Sequence, residues 1–429
     1  MSANPDKPHR VEMIDLKITA ASLLGREGGW DIALGTDPNG FSQILEVAPK
    51  IAASADKVIE AQGKLVIPGF VDAHMHLDKA LLLDRCNSVE GTFAEAMRET
   101  LRAKQSFTVE DIQARARRVI EQAISFGTTA MRTHVEVDPV VGLTGMKALL
   151  PLRDEYAWGI TLQIAVFAQE GITNQPGIEE LLRQAMSMGA DLIGSAPYID
   201  PDPEQNIRII FDIAQEFNCD VDFHLDFLDD DAPLSLPFVI EETQRRGWQN
   251  RVCLGHMTKL AGLPPDKIEA IAPLIRDSGI SILALPASDI YIMSRKDSHN
   301  VRRGVAPIHT LAELGVNVGL ATNNVQNLFT PFGDGDVLKI CTLLAQVLQM
   351  GTVTSHELCL KMATTNAAKA IGIDNYGIAP GKVADLVILE ATSATEAVAT
   401  APIARTVIKQ GQIVSRTQRI QQFLSRAEC

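Results

Sequence analysis

Between about residue 70 and residue 325, the chain alternates short apolar runs with segments whose apolar residues recur at helical spacing. Eight runs have the length and β-branched content of buried strands: VDAHMH (71–76), TAMRTHV (129–135), TLQIAVFAQ (161–169), DLIGSAP (191–197), DVDFHLD (220–226), RVCLGH (251–256), ISILALP (280–286) and VNVGLATNN (316–324). Such alternation is typical of a parallel α/β fold. Eight strands with helices between them favour a closed (β/α)₈ barrel of the TIM type over an open sheet.

One of the intervening helices is well marked by its ends. Thr108 and Asp111 form a capping-box pattern at its start, and Gly127 supplies a stop. Between these ends the apolar residues follow one helical face: Ile112, Ala116, Val119, Ala123 and Phe126. The pattern therefore predicts an amphipathic helix over most of 108–126.

The two ends of the chain have a different pattern. Residues 11 to about 69, beginning with a strand over Val11–Ala20, predict short strands and turns, and the tail contains the β-type runs ADLVIL, TVIK and QIVS. Neither end has enough apolar strands to bury a core alone. We therefore predict that 1–69 and 380–429 form one composite β-sandwich domain, and that 70–379 form the barrel.

Charge and composition narrow the choice of partners. The formal net charge is −14, and only 5% of residues are aromatic. Nucleic acids and anionic membranes select for basic patches, so both are unexpected partners. A small-molecule substrate is expected instead, and a homo-oligomer is compatible with the sequence.

The sequence gives no sign of a targeting signal or of the cysteine spacing that marks a disulfide framework or a zinc site. Met1–Arg10 is polar and lacks the apolar region of a secretory signal, and no apolar run reaches the length of a membrane span. The cysteines are scattered, with no C-x-x-C pair, so we expect neither a disulfide framework nor a zinc site built from cysteine. These features predict a cytoplasmic protein.

Histidines are concentrated at the predicted strand ends, where a barrel of this kind has its active site. Five of the nine histidines are found there: His74, His76, His134, His224 and His256. His74 and His76 are two residues apart on a strand, so their side chains share a face. With His224 they could hold one divalent cation and leave a position open, as zinc or iron(II) sites do. The alternative is that H-M-H is an incidental polar pair beside a loop.

Several segments resemble the amidohydrolase superfamily. LVIPGFVDAHMHLDK looks like its first barrel strand, and YGIAPGKVADLVIL resembles its closing segment. Within the superfamily, the chain is most similar to cytosine deaminases and N-isopropylammelide isopropylaminohydrolases. This narrower resemblance is carried by RTHVEVD, QIAVFAQEGI, VDFHLDFLDD, FTPFGDGD and the R-R-G at Arg302–Gly304. The matching segments cover nearly the whole chain in order.

The resemblance implies roles for individual residues. The family's metal ligands fall on His74, His76 and His224, and the histidine that polarises the substrate falls on His256. A glutamine that binds the pyrimidine ring falls on Gln169. The fourth strand, DLIGSAP, has no lysine that could be carbamylated to bridge two metals. A single divalent ion, zinc or iron(II), is therefore implied.

Two positions depart from the family's pattern. The aspartate that ends strand eight in the family, a metal ligand and proton shuttle, falls on Asn323, followed by Asn324. The glutamate that protonates the ring nitrogen in cytosine deaminases falls on Phe227. An amide can coordinate a metal through its oxygen but cannot carry a proton, so another group must act as the base. Phe227 also argues against cytosine itself as the substrate.

Acidic residues after strands five and eight could replace the missing base: Asp226, Asp229, Asp230, Asp231, Asp334 and Asp336. Asp226 is the best candidate among them, because it is two residues after His224 and hence on the same face, and His256 is the other candidate base. Lys79, which follows H-L-D at the barrel mouth, could bind an anionic substrate group or form a structural ion pair. His134 could shape the pocket or form hydrogen bonds within the barrel rim.

The leading hypothesis is a metal-dependent hydrolase of non-peptide C–N bonds. It would deaminate or dealkylaminate a small, planar nitrogen heterocycle or cyclic amide. One alternative is a metal-dependent lyase or decarboxylase, which needs no attacking water. Another is a catalytically impaired pseudoenzyme that keeps the pocket for binding. The zinc deaminases that act on nucleic acids are excluded, because their H-x-E and P-C-x-x-C motifs are absent.

Overall fold

A computed structural model describes residues 14–37, 40–86 and 88–423 of the chain. The polar segment 1–10, the first residues of the strand predicted from Val11, and Cys429 lie outside these ranges. Within the ranges, every cysteine is free and buried. No helix in the same ranges combines the length and apolar character needed to cross a bilayer.

The amino-terminal part forms a four-stranded sheet with the strand order β3-β2-β1-β4. Its strands are β1 (Leu16–Leu23), β2 (Arg26–Thr36), β3 (Ser42–Ala48) and β4 (Lys57–Glu60). The short β5 (Val66–Pro68) follows and belongs to a different sheet. One face of β1 is buried through Leu16, Ile18 and Ala21, with a register shift after Ile18. The sheet is therefore apolar on the side that faces the rest of the molecule.

Eight parallel strands form the central sheet, with neighbours in sequence order. They are β6 (Phe70–Met75), β7 (Thr128–Glu136), β8 (Thr161–Ala168), β9 (Leu192–Ser195), β10 (Asp220–Leu225), β11 (Val252–His256), β12 (Ser281–Ala284) and β13 (Asn317–Leu320). Each coincides, to within a few residues, with a run predicted from the sequence.

The barrel closes where the chain leaves β13. Asn323 donates its main-chain N–H to the carbonyl of His74 at 2.8 Å and accepts the N–H of His76 at 2.9 Å. These bonds join the first and last barrel strands beside the strand-end histidines. The seam of the barrel therefore lies at the candidate metal site.

Helices lie between and around the barrel strands. Their bounds are α1 (Phe93–Lys104), α2 (Val109–Ser125), α3 (Thr144–Glu155), α4 (Ile178–Ser187), α5 (Pro203–Phe217), α6 (Leu236–Arg246), α7 (Pro265–Asp277), α8 (Pro286–Ile292), α9 (Ile308–Glu313), α10 (Val337–Val347), α11 (Val353–Met362), α12 (Thr365–Ala370) and α13 (Ala394–Thr400). Most pack an apolar face on the strands, which the helical spacing of their apolar residues requires.

Helix α2 confirms the helix predicted over 108–126, with one difference at its start. The Thr108 side chain accepts a hydrogen bond from the main-chain N–H of Asp111 at 3.2 Å, as a capping box requires. The Asp111 carboxylate, however, does not reach back to Thr108. It pairs instead with Arg115 at 3.0 Å and with Arg85. These ion pairs take the place of the hydrogen bond that a capping box forms between the Asp111 carboxylate and the main-chain N–H of Thr108.

The carboxyl-terminal strands are β14 (Leu386–Leu389), β15 (Arg405–Lys409) and β16 (Gln412–Thr417). With β5 they form a second small sheet in the order β16-β15-β14-β5. The two small sheets share one cluster of buried residues, which includes Ile18, Ile32, Val66, Leu386 and Ile408. The predicted fold class, a (β/α)₈ barrel with a small β-sandwich from the two ends, is confirmed. The exact boundaries at 69/70 and 379/380 stay a prediction.

A buried ion pair fastens the second small sheet to the barrel. Arg405 on β15 donates from two nitrogens to the two carboxylate oxygens of Asp336, each at 2.8 Å, and both side chains are fully buried. We expect Arg405→Ala to lower the free energy of unfolding by about 3–5 kcal/mol, because it leaves the Asp336 charge buried and unpaired. Arg117→Ala, which breaks the exposed pair with Glu155, should cost under about 1 kcal/mol. Urea denaturation measures both losses, and equal losses would contradict the assignment.

Candidate active site

Three imidazoles meet at the carboxyl end of the barrel. The Nε2 atom of His224 lies 3.0 Å from Nε2 of His74 and 3.1 Å from Nε2 of His76. His74 lies on β6, His76 is the first residue after that strand, and β10 brings His224 from across the barrel. All three side chains are buried. The structure thus brings together the three residues predicted to hold a metal.

A divalent cation fits this cluster better than hydrogen bonding does. A neutral imidazole has one N–H, so the Nε2 atom of His224 cannot donate to both of the Nε2 atoms that it contacts. The Nδ1 atoms of His74, His76 and His224 also have no hydrogen-bond partner among the described residues. Burial lowers the pKa of all three imidazoles well below the usual value, and neighbouring histidines lower it further. The neutral form that results is the one that binds metals.

Asn323 stands beside these histidines at the barrel seam. Its Nδ2 donates to the hydroxyl of Ser288 at 2.7 Å. Its Oδ1 is buried and has no hydrogen-bond partner in the part of the chain that the structure describes. The main chain at Asn323 has a φ of 64°, in the left-handed region that asparagine tolerates better than most residues. The unpaired carbonyl oxygen fits a fourth metal ligand.

His256 lies on the other side of the cluster and is held by a carboxylate. Its ring centroid is 5.5 Å from that of His224. Its Nδ1 lies 2.7 Å from Oδ1 of Asp289, and Oδ2 of Asp289 accepts the main-chain N–H of Leu285 at 3.0 Å. Burial raises the pKa of the Asp289 carboxyl, and its hydrogen bond to His256 opposes that rise. Asp289 was not predicted as a site residue. Its one signal in the sequence is that it is an acidic residue shortly after the seventh strand.

A small cavity opens above the histidines, and the space between its lining residues, including the part open to solvent, is about 290 Å³. Aromatic side chains form one part of its wall. The Phe227 ring packs on that of His256 with centroids 4.1 Å apart, and the rings of Phe93 and Tyr198 each lie 5.7 Å from Phe227. Phe329 continues the wall beside Phe93. A flat apolar ring face would fit against this surface.

Polar side chains form another part of the wall. Gln169 lines the cavity, and its Nε2 is buried without a hydrogen-bond partner among the described residues. Asn324 lines it too, with its Oδ1 accepting a hydrogen bond from Asn327 at 2.7 Å. Lys79 reaches the cavity and forms an ion pair with Glu136. All three residues predicted to bind the substrate through polar groups therefore border the cavity.

The Lys79 ammonium belongs to a larger buried charge network. Glu136 also pairs with Lys104, whose ammonium lies 2.9 Å from Asp138 and 2.6 Å from Glu170. Burial raises the pKa of Glu170 to about 7, although Lys104 acts to lower it. Lys79 therefore forms a buried ion pair, which was one of its two predicted roles, and it also lines the cavity.

Asp226, predicted as a candidate base, is not among the residues that line the cavity. Its Oδ1 accepts the main-chain N–H of Ser235 at 2.8 Å, and its Oδ2 accepts that of Leu236 at 3.2 Å. The alternation of β10 ends before this residue, because its φ of 47° turns the chain. Burial raises the pKa of Asp226 to about 6, and the two main-chain bonds oppose the rise. The carboxylate caps the start of α6.

The role of Asp226 can be separated from catalysis by mutation. We expect Asp226→Ala to lower the free energy of unfolding by about 1–3 kcal/mol, because two buried N–H groups lose their acceptor. The kcat/KM of the folded variant should stay at the native value. Urea denaturation and steady-state kinetics measure the two quantities. A loss of about 10²-fold in kcat at unchanged stability would restore Asp226 as a base.

His134 lies below the cluster rather than at the cavity. Its ring stacks on that of His74 with centroids 3.8 Å apart, and its Nε2 lies 3.3 Å from Oδ1 of Asp222. Arg132 binds the other oxygen of Asp222 at 2.8 Å. Burial would raise the pKa of Asp222, but His134 and Arg132 hold it below the usual value. This layer supports the back of the histidine cluster from inside the barrel.

A barrel with a histidine cluster at its strand ends, beside a small cavity with aromatic and amide walls, has the architecture of a metal-dependent hydrolase. The model of the amidohydrolase family matches residues 57–147 and 98–415. The chain belongs to this family, and it is a hydrolase of C–N bonds other than peptide bonds, as predicted from the sequence.

Individual relatives agree with this assignment. The chain is 31% identical over 418 residues to N-isopropylammelide isopropyl amidohydrolase of Pseudomonas sp. (strain ADP), covering 94% of this chain and 98% of that protein. It is 27% identical over 377 residues to pterin deaminase of Rhizobium rhizogenes, covering 86% and 84% of the two chains. The structure of 5-methylcytosine deaminase from Klebsiella pneumoniae, liganded with 5-fluorocytosine, superposes with a TM-score of 0.88 at 31% identity. That match covers 96% of this chain and 100% of the other.

Proposed function

We propose that this protein is a metal-dependent deaminase or dealkylaminase of a small, planar nitrogen heterocycle. One observation carries the proposal: three histidine Nε2 atoms converge beneath a cavity with aromatic and amide walls. The names of the relatives support it, since they describe enzymes for N-isopropylammelide, pterin and 5-methylcytosine. A hydrolysed C–N bond on a flat heterocycle is common to all three.

The metal would be held by His74, His76 and His224, with Asn323 as an uncharged fourth ligand. Imidazole nitrogen suits zinc and iron(II) equally, so either ion agrees with the donor set. When bound, such a cation lowers the pKa of water toward about 7 and makes it a nucleophile. The loss of the strand-eight carboxylate removes one negative charge from the site and one route for protons.

His256 is the residue best suited to move protons. Among the described residues that border the cavity, none is an aspartate or glutamate. Asn323 cannot carry a proton, and Asp226 is committed to the start of α6. In our proposal, His256 takes a proton from the attacking water while the C–O bond forms. It then gives that proton to the leaving nitrogen as the C–N bond breaks, so that ammonia or an amine departs.

The cavity wall defines how the ring would be held. The aromatic side of the wall, formed around Phe227, would pack on one face of the ring. Gln169 offers a donor and an acceptor to the ring edge, and Lys79 offers a cation to an oxo or anionic oxygen. Phe227 supplies no proton to a ring nitrogen. We therefore propose a ring whose hydrolysis needs no proton from the enzyme at that ring nitrogen, which argues against cytosine as the substrate.

A substrate panel tests this function. The purified protein, loaded with zinc or iron(II), is incubated with aminopyrimidines, amino-triazines and pterins, each with a free and an N-alkylated amino group. We expect release of ammonia or alkylamine from at least one oxo-substituted ring, with no release by His74→Ala. Stoichiometric metal binding without turnover of any compound in the panel would favour the pseudoenzyme alternative. Release of carbon dioxide from a carboxylated ring would favour the decarboxylase.

Gln169 gives a prediction about recognition. We expect Gln169→Ala to lower kcat/KM for the true substrate by about 10–100-fold, because a buried hydrogen bond to the ring edge is lost. Gln113→Ala is the matched control, since that amide donates to the Ala148 carbonyl on the outside of the barrel. Steady-state kinetics on both variants measures the effect. Equal activity of the two variants would remove Gln169 from the substrate site.

A further inference from the structure

We propose that the first turn of α8 is a two-armed clamp that sets the orientation of both His256 and Asn323. Asp289 is the arm that holds the imidazole, and Ser288 is the arm that holds the amide. The inference rests on the proposed function for its catalytic consequence. Its two structural consequences are the tautomer of His256 and the metal affinity that Asn323 supplies. Both can be measured without any substrate.

The Asp289 arm fixes which nitrogen of His256 carries the proton. Oδ1 of Asp289 lies 2.7 Å from Nδ1, and a carboxylate is an acceptor only, so Nδ1 must be the protonated nitrogen. The lone pair is then on Nε2, the nitrogen on the other side of the ring. Oδ2 is held by the Leu285 N–H at 3.0 Å, which prevents the carboxylate from turning away. Asp289 therefore acts through His256 as a positioning residue.

The Ser288 arm fixes which end of the Asn323 amide faces the histidines. The Ser288 hydroxyl accepts a hydrogen bond from Nδ2 at 2.7 Å and also contacts the hydroxyl of Thr330. With its nitrogen held there, the amide leaves its oxygen free. That oxygen is buried and has no hydrogen-bond partner among the described residues. Ser288 thus presents Asn323 as an oxygen ligand.

The two arms are adjacent residues of one short helix, and this placement makes the clamp rigid. Pro286 begins α8, and Ser288 and Asp289 are almost completely buried. The arrangement also compensates in part for the missing carboxylate of strand eight. Asp289 places a carboxylate next to His256, the proposed proton-transfer group. Asn323 supplies an oriented amide oxygen at the position where the family has a carboxylate ligand.

The first arm is tested by Asp289→Asn, which keeps the side-chain volume. The amide oxygen should stay on the Leu285 N–H, so the amide nitrogen would face Nδ1 of His256 and move its proton to Nε2. We expect two-bond ¹H–¹⁵N spectra of the zinc-loaded, ¹⁵N-histidine-labelled protein to show Nδ1–H in the native form and Nε2–H in the variant. His256→Gln assigns the resonance. A wrong tautomer costs hydrolytic triads about 10⁴-fold in kcat, and we expect about 10²–10⁴-fold here with KM little changed.

The second arm is tested by Ser288→Ala, read by zinc affinity in competition with a chelator. We expect affinity to fall by about 10–100-fold, as for other groups that orient metal ligands. Asn323→Ala should weaken zinc by a similar factor. Because both substitutions remove the same oriented oxygen, the double variant should be no weaker than Asn323→Ala alone. The His256 tautomer should be native in both single variants.

The outcomes separate a clamp from a general structural role. Asp31→Asn is the control, since Asp31 is a buried carboxylate that accepts two main-chain N–H groups in the amino-terminal sheet. It should change neither tautomer nor zinc affinity. Native His256 protonated on Nε2 overturns the first arm, whatever the variants do. If the losses of zinc affinity in Ser288→Ala and Asn323→Ala add up in the double variant, the role of Ser288 is overturned. Failure of the substrate panel with both arms intact would reject the proposed function and leave the clamp standing.

Discussion

His256→Ala should lower kcat by about 10²–10⁴-fold, because the residue that carries protons between water and the leaving nitrogen is gone. Metal content should stay native, since the His74, His76 and His224 cluster does not depend on this ring. Added imidazole should restore part of the rate if it can enter the space that the side chain leaves. The measurements are single-turnover rates, with and without imidazole, and metal analysis of the same samples.

His309→Ala is the matched control for this experiment. His309 lies on α9, outside the residues that border the cavity. Its replacement should leave kcat and the response to imidazole at the native level. A His256→Ala variant with native kcat would show that protons move by another route, and Lys79, which also lines the cavity, would be the next residue to test.

Removing one metal ligand should have the largest effect of all. We expect His224→Ala to lose stoichiometric metal and all metal-dependent turnover, because two imidazoles and an uncharged amide remain. A resident ion at 100 times its dissociation constant adds about 2.7 kcal/mol to folding stability. Chelation should therefore lower the Tm of the native protein, and added zinc should raise it again. The Tm of His224→Ala should not respond to either treatment.

Metal analysis and thermal unfolding measure these effects together. His356→Ala is the control, because that histidine lies on α11 and contacts Thr395. It should bind metal and respond to chelation as the native protein does. A His224→Ala variant that retains one tightly bound ion would contradict the assigned ligand set, and His134 would then be the next candidate ligand.

Much of the barrel could be predicted from the sequence because its strands are buried on both faces. The run TLQIAVFAQ, for example, contains five consecutive apolar residues, IAVFA, and then ends at the polar Gln169. The active site of such a barrel lies at the carboxyl ends of its strands, so the histidines found there could be selected without knowledge of the tertiary structure. His74 and His76 were the clearest case, since two residues on one strand must share a face.

The rest of the site depends on contacts that local sequence does not encode. Asp226 follows the alternation rule on paper, but its left-handed φ turns it toward α6. Asp289 and Ser288 are ordinary residues of a short helix, and only the packing of α8 against the strand ends gives them partners. Lys79 likewise pairs with Glu136, a residue of the next barrel strand.

The order in which the ribosome makes this chain has a consequence for metal loading. Strand β6, which contains His74 and ends just before His76, directly follows β5, and β5 pairs with β14, a strand made after the whole barrel. The Gly69 N–H between them donates to the carbonyl of Asp385 at 3.0 Å. A nascent chain therefore exposes His74 and His76 well before β14, the strand that pairs with β5, has been made. Stable capture of the ion is expected only after β14 has been synthesised and has paired with β5.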